Sequence, residues 1–167
     1  MPNLNTQLSG QIGENIVVAE LGRQKIIATS FAGNVPDIDI LAYANGKSVP
    51  LQVKAQKSGN PGVNATKYLD IEFNDDVQTI RGKIKDINRD LIFVMVKVGK
   101  KYGDDEFFVF TQGIVQDLVN EEYQKMLMRH NGVRPRSPQS THCSYYLRDL
   151  ILYKDNWKLI KVALGIK

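Results

Sequence analysis

The stretch "DIDILAYANGKSVPLQVKAQ", residues 37–56, constrains the fold more tightly than any other part of the chain. Two runs in which apolar and polar residues alternate flank the pair Asn45-Gly46. Asn-Gly favours a two-residue hairpin turn, because both residues accept positive φ at low cost. Two antiparallel, hydrogen-bonded strands are therefore expected. Side chains alternate between the faces of a strand. Asp37, Asp39 and Leu41 then share one face of the first strand, opposite Ile38 and Ile40. On the second, Gln52, Lys54 and Gln56 alternate with Leu51, Val53 and Ala55. Strand pairing places carboxylate, amide and ammonium groups on a common face.

Upstream, "NTQLSGQIGENIVVAELGRQ" reads as a largely buried helix. Leu8, Ile12, Ile16 and Ala19 recur at helical spacing, with Gly22 where a C-terminal cap belongs. A second apolar stripe consists of Val17, Val18 and Leu21. Glu14 precedes its members by three, four and seven positions, and so lies on their face. Packed over the hairpin, this helix would add a second carboxylate to the polar cluster.

The rest of the chain alternates further elements. "KIIATSF" is an expected strand and "GNVP" a turn. "KSGNPGVNAT" reads as a loop and "KYLDIEF" as a strand. The following "NDD" is a helix start, with Val77, Ile80, Ile84 and Ile87 along one side. "DLIFVMVKV", the most apolar run, is the expected central strand, and "EFFVF" another. Thr111 precedes a long helix whose Ile114, Val115, Leu118, Met126 and Leu127 face inward. "YYLRDLILY" reads as a strand, and "DNWKLIKVAL" as a last helix anchored by Trp157, Ile160 and Leu164. At 167 residues, with no internal repeat or long linker, the chain is expected to be a single domain, residues 1–167. The class is α/β, with a mixed central sheet flanked by helices.

Two carboxylates suit a hard divalent cation, with water and phosphate oxygens completing its shell. Lys54 adds a compact cation able to orient an attacking water or stabilise developing negative charge. Glu14 in an N-terminal helix, Pro36-Asp37-Ile38-Asp39, and Gln52-Val53-Lys54 together resemble the PD-(D/E)XK nuclease superfamily. The likeness is to its restriction-endonuclease-like branch in which glutamine precedes x-Lys, and it covers about residues 8–57. It implies an αβββαβ core and Mg2+- (or Mn2+-) dependent hydrolysis of phosphodiester bonds in DNA. It also implies a catalytic set of Glu14, Asp39, Gln52 and Lys54. Asp39, Glu14 and Gln52 would hold the metal, with Asp37 the alternative to Asp39 because one residue of register decides between them. Gln52 is neutral, which leaves two charged ligands. A chain that keeps this fold as a nucleic-acid-binding or assembly module without the chemistry is the competing expectation.

Charge supports a polyanionic partner. Residues 124–167 carry nine Lys or Arg against Asp149 and Asp155, whereas the first sixty residues carry five basic and four acidic side chains. One surface that tracks phosphates would have this asymmetry. Lys57, just beyond the second strand, and Arg134 and Arg136 in "RPRSP" are the expected nucleic-acid contacts. Tyr145, Tyr146 and Trp157 are aromatic candidates for base stacking, with Trp157 expected in the core. His130, His142 and Cys143 lack zinc-site spacing. No apolar run approaches the roughly 18–20 residues of a membrane span. One cysteine and an N-terminus without a basic start or apolar signal core point to the cytoplasm. Whether the chain forms a homodimer to cut both strands is left open by the sequence.

Overall fold

The computed structural model describes residues 4–31 and 35–167, and for residues 4–6 the backbone alone. In chain order the elements are α1 (Leu4–Arg23), β1 (Ile27–Ser30), β2 (Ile40–Ala44), β3 (Lys47–Gln56), β4 (Gly62–Asn64), β5 (Leu69–Asn74), β6 (Val77–Lys83), β7 (Ile92–Lys97), β8 (Glu106–Thr111), α2 (Gln112–Arg129), β9 (His142–Ser144) and α3 (Lys158–Ala163), with 3-10 turns at Ala65–Lys67 and Leu147–Tyr153. The fold is mixed α/β. Two compact units are present. The first comprises the described residues up to Gly59, Leu91–Thr111 and Leu150–Lys167; the second comprises Asn60–Asp90 and Gln112–Asp149.

The first unit holds a five-stranded mixed sheet in the order β1-β2-β3-β7-β8. β3 runs parallel to β7, and every other pairing is antiparallel. The β2–β3 turn is the expected one, with Asn45 at φ 51° and Gly46 at φ 74°. β7 is buried at five of its six positions, as its apolar run requires of a central strand. Val17 and Leu21 of α1 join Ile40, Leu51, Val94, Val109 and the C-terminal Trp157, Ile160 and Leu164 in one core. Trp157 tilts against Phe107 at 5.2 Å between ring centroids. A mixed sheet flanked by helices is the layered α/β arrangement expected from the sequence.

The buried stripe of α1 differs from the expected one. Leu8 and Ile12 are exposed, while Ser9, Gly13, Val17 and Leu21 form the buried stripe. Small residues on this stripe let the helix sit close to the sheet, and close packing outweighs the larger side chains on the neighbouring stripe. Gly22 does not cap α1. Lys25 takes the left-handed position at φ 62°, with the Ile26 N–H bonded to Leu21 O and the Lys25 N–H to Gly22 O. This double bond pattern satisfies the last carbonyls of the helix. The turn expected at "GNVP" lies partly outside the described residues.

In the second unit the expected helix over Val77–Ile87 is instead strand β6, paired antiparallel with β5. "NDD" makes a two-residue hairpin turn with Asp75 at φ 51°. Asp and Asn serve turns as readily as helix starts. The alternation of buried Gln78 with exposed Thr79 and Arg81 is that of a strand. "YYLRDLILY" is likewise no strand: Leu147–Tyr153 is a 3-10 turn, and β9 lies upstream of it, paired with β4. Buried Tyr145 and Leu150, with Ile151 and Leu152 exposed between core positions, break a period of two. A glutamine pair organises this unit. Gln116 donates to the carbonyls of Tyr68 and Ile84 at 2.9 and 2.8 Å, and the Tyr123 hydroxyl donates to Gln78 at 2.5 Å. Among the described residues no helix is long and apolar enough to cross a membrane.

Candidate active site

All the catalytic candidates lie in the first unit. β2 begins at Ile40, so Asp39 sits at the mouth of the strand. Its N–H donates to Leu51 O at 2.9 Å, and its carbonyl accepts from the Phe31 N–H at 3.1 Å. Its carboxylate then takes the next donor of β3, the Val53 N–H, at 2.7 Å from Oδ2. A charge-assisted bond of this kind fixes the carboxylate plane and leaves Oδ1 for another partner. Asp37 stands in a different place. It is exposed in a turn at φ 63°, outside β2. The period-two relation expected between Asp37 and Asp39 therefore does not hold.

Gln52 and Lys54 alternate along β3 with Leu51, Val53 and Ala55 as the pattern requires. Gln52 is half-buried, and its amide has no hydrogen-bond partner among the described residues, so its carbonyl oxygen is free for a ligand. Lys54 is exposed and in no ion pair among them. Lys57 is exposed in the bend after β3, where Gln56 donates to Gly59 O at 2.8 Å and holds that bend closed.

Glu14 comes to this group from α1. Its carboxyl is held above the usual range, first by burial, then by the negative charge of Asp39, while Lys54 pulls the other way. Three elements distant in sequence thus place Glu14, Asp39 and Lys54 in one electrostatic neighbourhood. The depth of α1 is set by Gly13. A Cβ there would stand 2.3 Å from Ala55 Cβ, inside any real contact distance. Only glycine lets the helix rest on β3 at this point. Sequence reasoning passed over Gly13 as a site residue, although a glycine in a helix interior costs about 1 kcal/mol and so signals close backbone approach.

A divalent cation fits this donor set. Glu14 and Asp39 offer carboxylate oxygens and Gln52 an amide oxygen, all hard donors. The repulsion that Asp39 exerts on Glu14 is of the kind a bound cation removes. Among the described residues no group of three or more His, Cys, Asp or Glu side chains is placed to hold a metal. Glu14 and Asp39 are the two carboxylates of this neighbourhood, and Gln52 stands two residues before Lys54 on β3.

Arg134 and Arg136 belong to the second unit. Arg134 is half-buried, its guanidinium donating to the His142 carbonyl, whereas Arg136 is exposed at φ 63°. Tyr145 is buried and so removed from stacking, while Tyr146 carries the Arg148 guanidinium over its ring at 4.3 Å.

No protein-family model matches the chain, and no curated protein sequence matches it. Among solved structures it resembles a bacterial homing endonuclease, I-Ssp6803I, with a TM-score of 0.51 and 16% identity. The match covers 96% of this chain and 93% of that one, so it extends over both units. At this identity the likeness is one of fold, and the fold is nuclease-like.

Proposed function

We propose that the chain is a metal-dependent endonuclease that hydrolyses phosphodiester bonds in DNA, in the manner of the PD-(D/E)XK superfamily. The observation that carries the reading is the convergence of Glu14, Asp39 and Lys54 from α1, the mouth of β2 and β3. The nuclease-like fold supports it. Asp39, Glu14 and the Gln52 oxygen would hold Mg2+ or Mn2+. When bound, the metal lowers the pKa of a coordinated water and offsets charge on the scissile phosphate.

The chain's own residues supply the rest. The Val53 N–H keeps Asp39 in one orientation, and the Gly13–Ala55 contact sets the approach of Glu14. Lys54, free of any carboxylate ion pair among the described residues, provides a positive charge for the oxyanion that develops at phosphorus. Removing one such stabilising group costs about 10²–10³ in rate.

The test is nicking of supercoiled plasmid with Mg2+ or Mn2+, alongside metal titration by calorimetry. Asp39→Asn keeps an oxygen for the Val53 N–H while removing the charge. It is expected to abolish both metal heat and nicking. Lys54→Ala is expected to bind metal and lose about 10²-fold or more in nicking rate. A wild-type protein that nicks no DNA form, or a Lys54→Ala variant as fast as wild type, overturns the proposal.

A further inference from the structure

The second unit carries a small basic recess of about 230 Å³. Its lining includes Glu122, Lys125 and Arg129 of α2, Arg134, His142 of β9, and Tyr146. This is below the roughly 300–1,000 Å³ of sites that enclose a small-molecule ligand, and large enough for one phosphate group or one planar side group.

The cations divide into two sets. Lys125 is neutralised by Glu121 at 2.6 Å and Glu122 at 2.9 Å. Elsewhere in the molecule, Arg23, Arg81, Lys83, Arg89, Lys97 and Lys154 also sit in ion pairs. Arg129 and Arg134 do not: among the described residues neither has a carboxylate partner. Arg134 is pinned from behind instead, its guanidinium donating to the His142 carbonyl. A guanidinium oriented by a neutral acceptor keeps its full charge and loses little entropy when an anion arrives. Beside the recess, Arg148 covers the Tyr146 ring at 4.3 Å and, like the other paired cations, has a carboxylate partner, Asp149 at 3.7 Å.

We propose that this recess is a backbone-binding site that seats a phosphodiester of the DNA substrate between Arg129 and Arg134. It rests on the endonuclease reading for the identity of the polyanion, and assigns the contact to residues remote in sequence from the catalytic set. Arg129 is the informative position. It is exposed in the last turn of α2 and makes no hydrogen bond or ion pair with its side chain among the described residues, whereas replacing Arg134 would also free the His142 carbonyl.

The experiment is anisotropy of a fluorescein-labelled DNA duplex with the full chain in EDTA, over about 50–200 mM salt. Each phosphate contact contributes about 0.9 to the slope of log affinity against log salt. Arg129→Gln is expected to reduce that slope by about 1, and Arg129→Asp by more. Arg81→Gln, which removes an exposed cation from the β5–β6 hairpin, is the control and is expected to leave the slope unchanged. Wild-type binding that Arg129→Gln does not alter overturns the recess and leaves the endonuclease reading standing. An equal loss in Arg81→Gln, or binding confined to RNA, overturns it too. If the wild type binds no duplex at any salt concentration, both readings fall.

Discussion

Substituting Gly13 by alanine separates positioning from stability at the candidate active site. The new Cβ would stand 2.3 Å from Ala55 Cβ, and ordinary contact begins near 3.4 Å, so α1 must recede by about 1.1 Å at this point. Forcing a methyl into a packed contact costs about 1–3 kcal/mol. Replacing glycine by alanine within a helix returns about 0.8–1.0 kcal/mol. The net loss is then about 0–2 kcal/mol, a fall in Tm of less than about 8 °C for a chain of this size. Glu14, one residue along, moves with the helix. A misplacement of about 1 Å in catalytic geometry is worth about 10²-fold in rate. Gly13→Ala should therefore lose nicking activity and metal heat far beyond its change in Tm. The compensating change is Ala55→Gly. With that Cβ gone, the next atom is Ala55 Cα at 3.6 Å, an ordinary contact. Plasmid nicking, metal calorimetry and thermal melts on the two single variants and the double variant give a complete cycle. The double variant should recover most of the activity of Ala55→Gly. Unchanged activity in Gly13→Ala, or a double variant no better than Gly13→Ala, refutes the argument.

Three further outcomes follow from the same structure. The carboxyl of Glu14 is raised by burial and by Asp39, so folding favours its protonated form. Its stabilising contribution is present below the unfolded pKa and is lost as pH rises through the folded value. Without divalent metal, Glu14→Gln should raise Tm at pH 7, with the gain disappearing below about pH 4; a variant less stable at pH 7 than at pH 4, relative to wild type, contradicts this. Gln116→Leu withdraws the donor held at 2.8 Å from Ile84 O, while Tyr68 O keeps the Ile84 N–H. The loss should be about 1–3 kcal/mol, read as a lower urea midpoint. Burial pushes the Cys143 thiol up to about 11. Ellman's reagent at pH 8 should label it slowly in the native protein and rapidly in denaturant.

The sheet and its helices were legible because their signals are local. Asn45-Gly46 needs only its own φ preferences to make a hairpin, and the run at β7 needs only its own apolarity to be central. Alternation alone put Gln52 and Lys54 on one side of β3. "NDD" was misread because asparagine and aspartate begin helices and close hairpins alike. Only pairing with Leu69–Asn74 decides which.

Determined by the sequence itself, then, are the hairpin, the central strand, the core position of Trp157 and the presence of carboxylate, amide and lysine at usable spacing. Left to the tertiary structure was which of them meet. Asp39 stands at the site and Asp37 in a turn because the β2–β3 ladder ends at Ile40 opposite Leu51, where the Val53 N–H turns to a side chain. Glu14 stands beside them because Gly13 meets Ala55, forty-two residues away. Hydrogen-bond preferences act over a few residues and can be read along a chain. The gap between a helix and a strand depends on side chains from both, and exists only once they are packed.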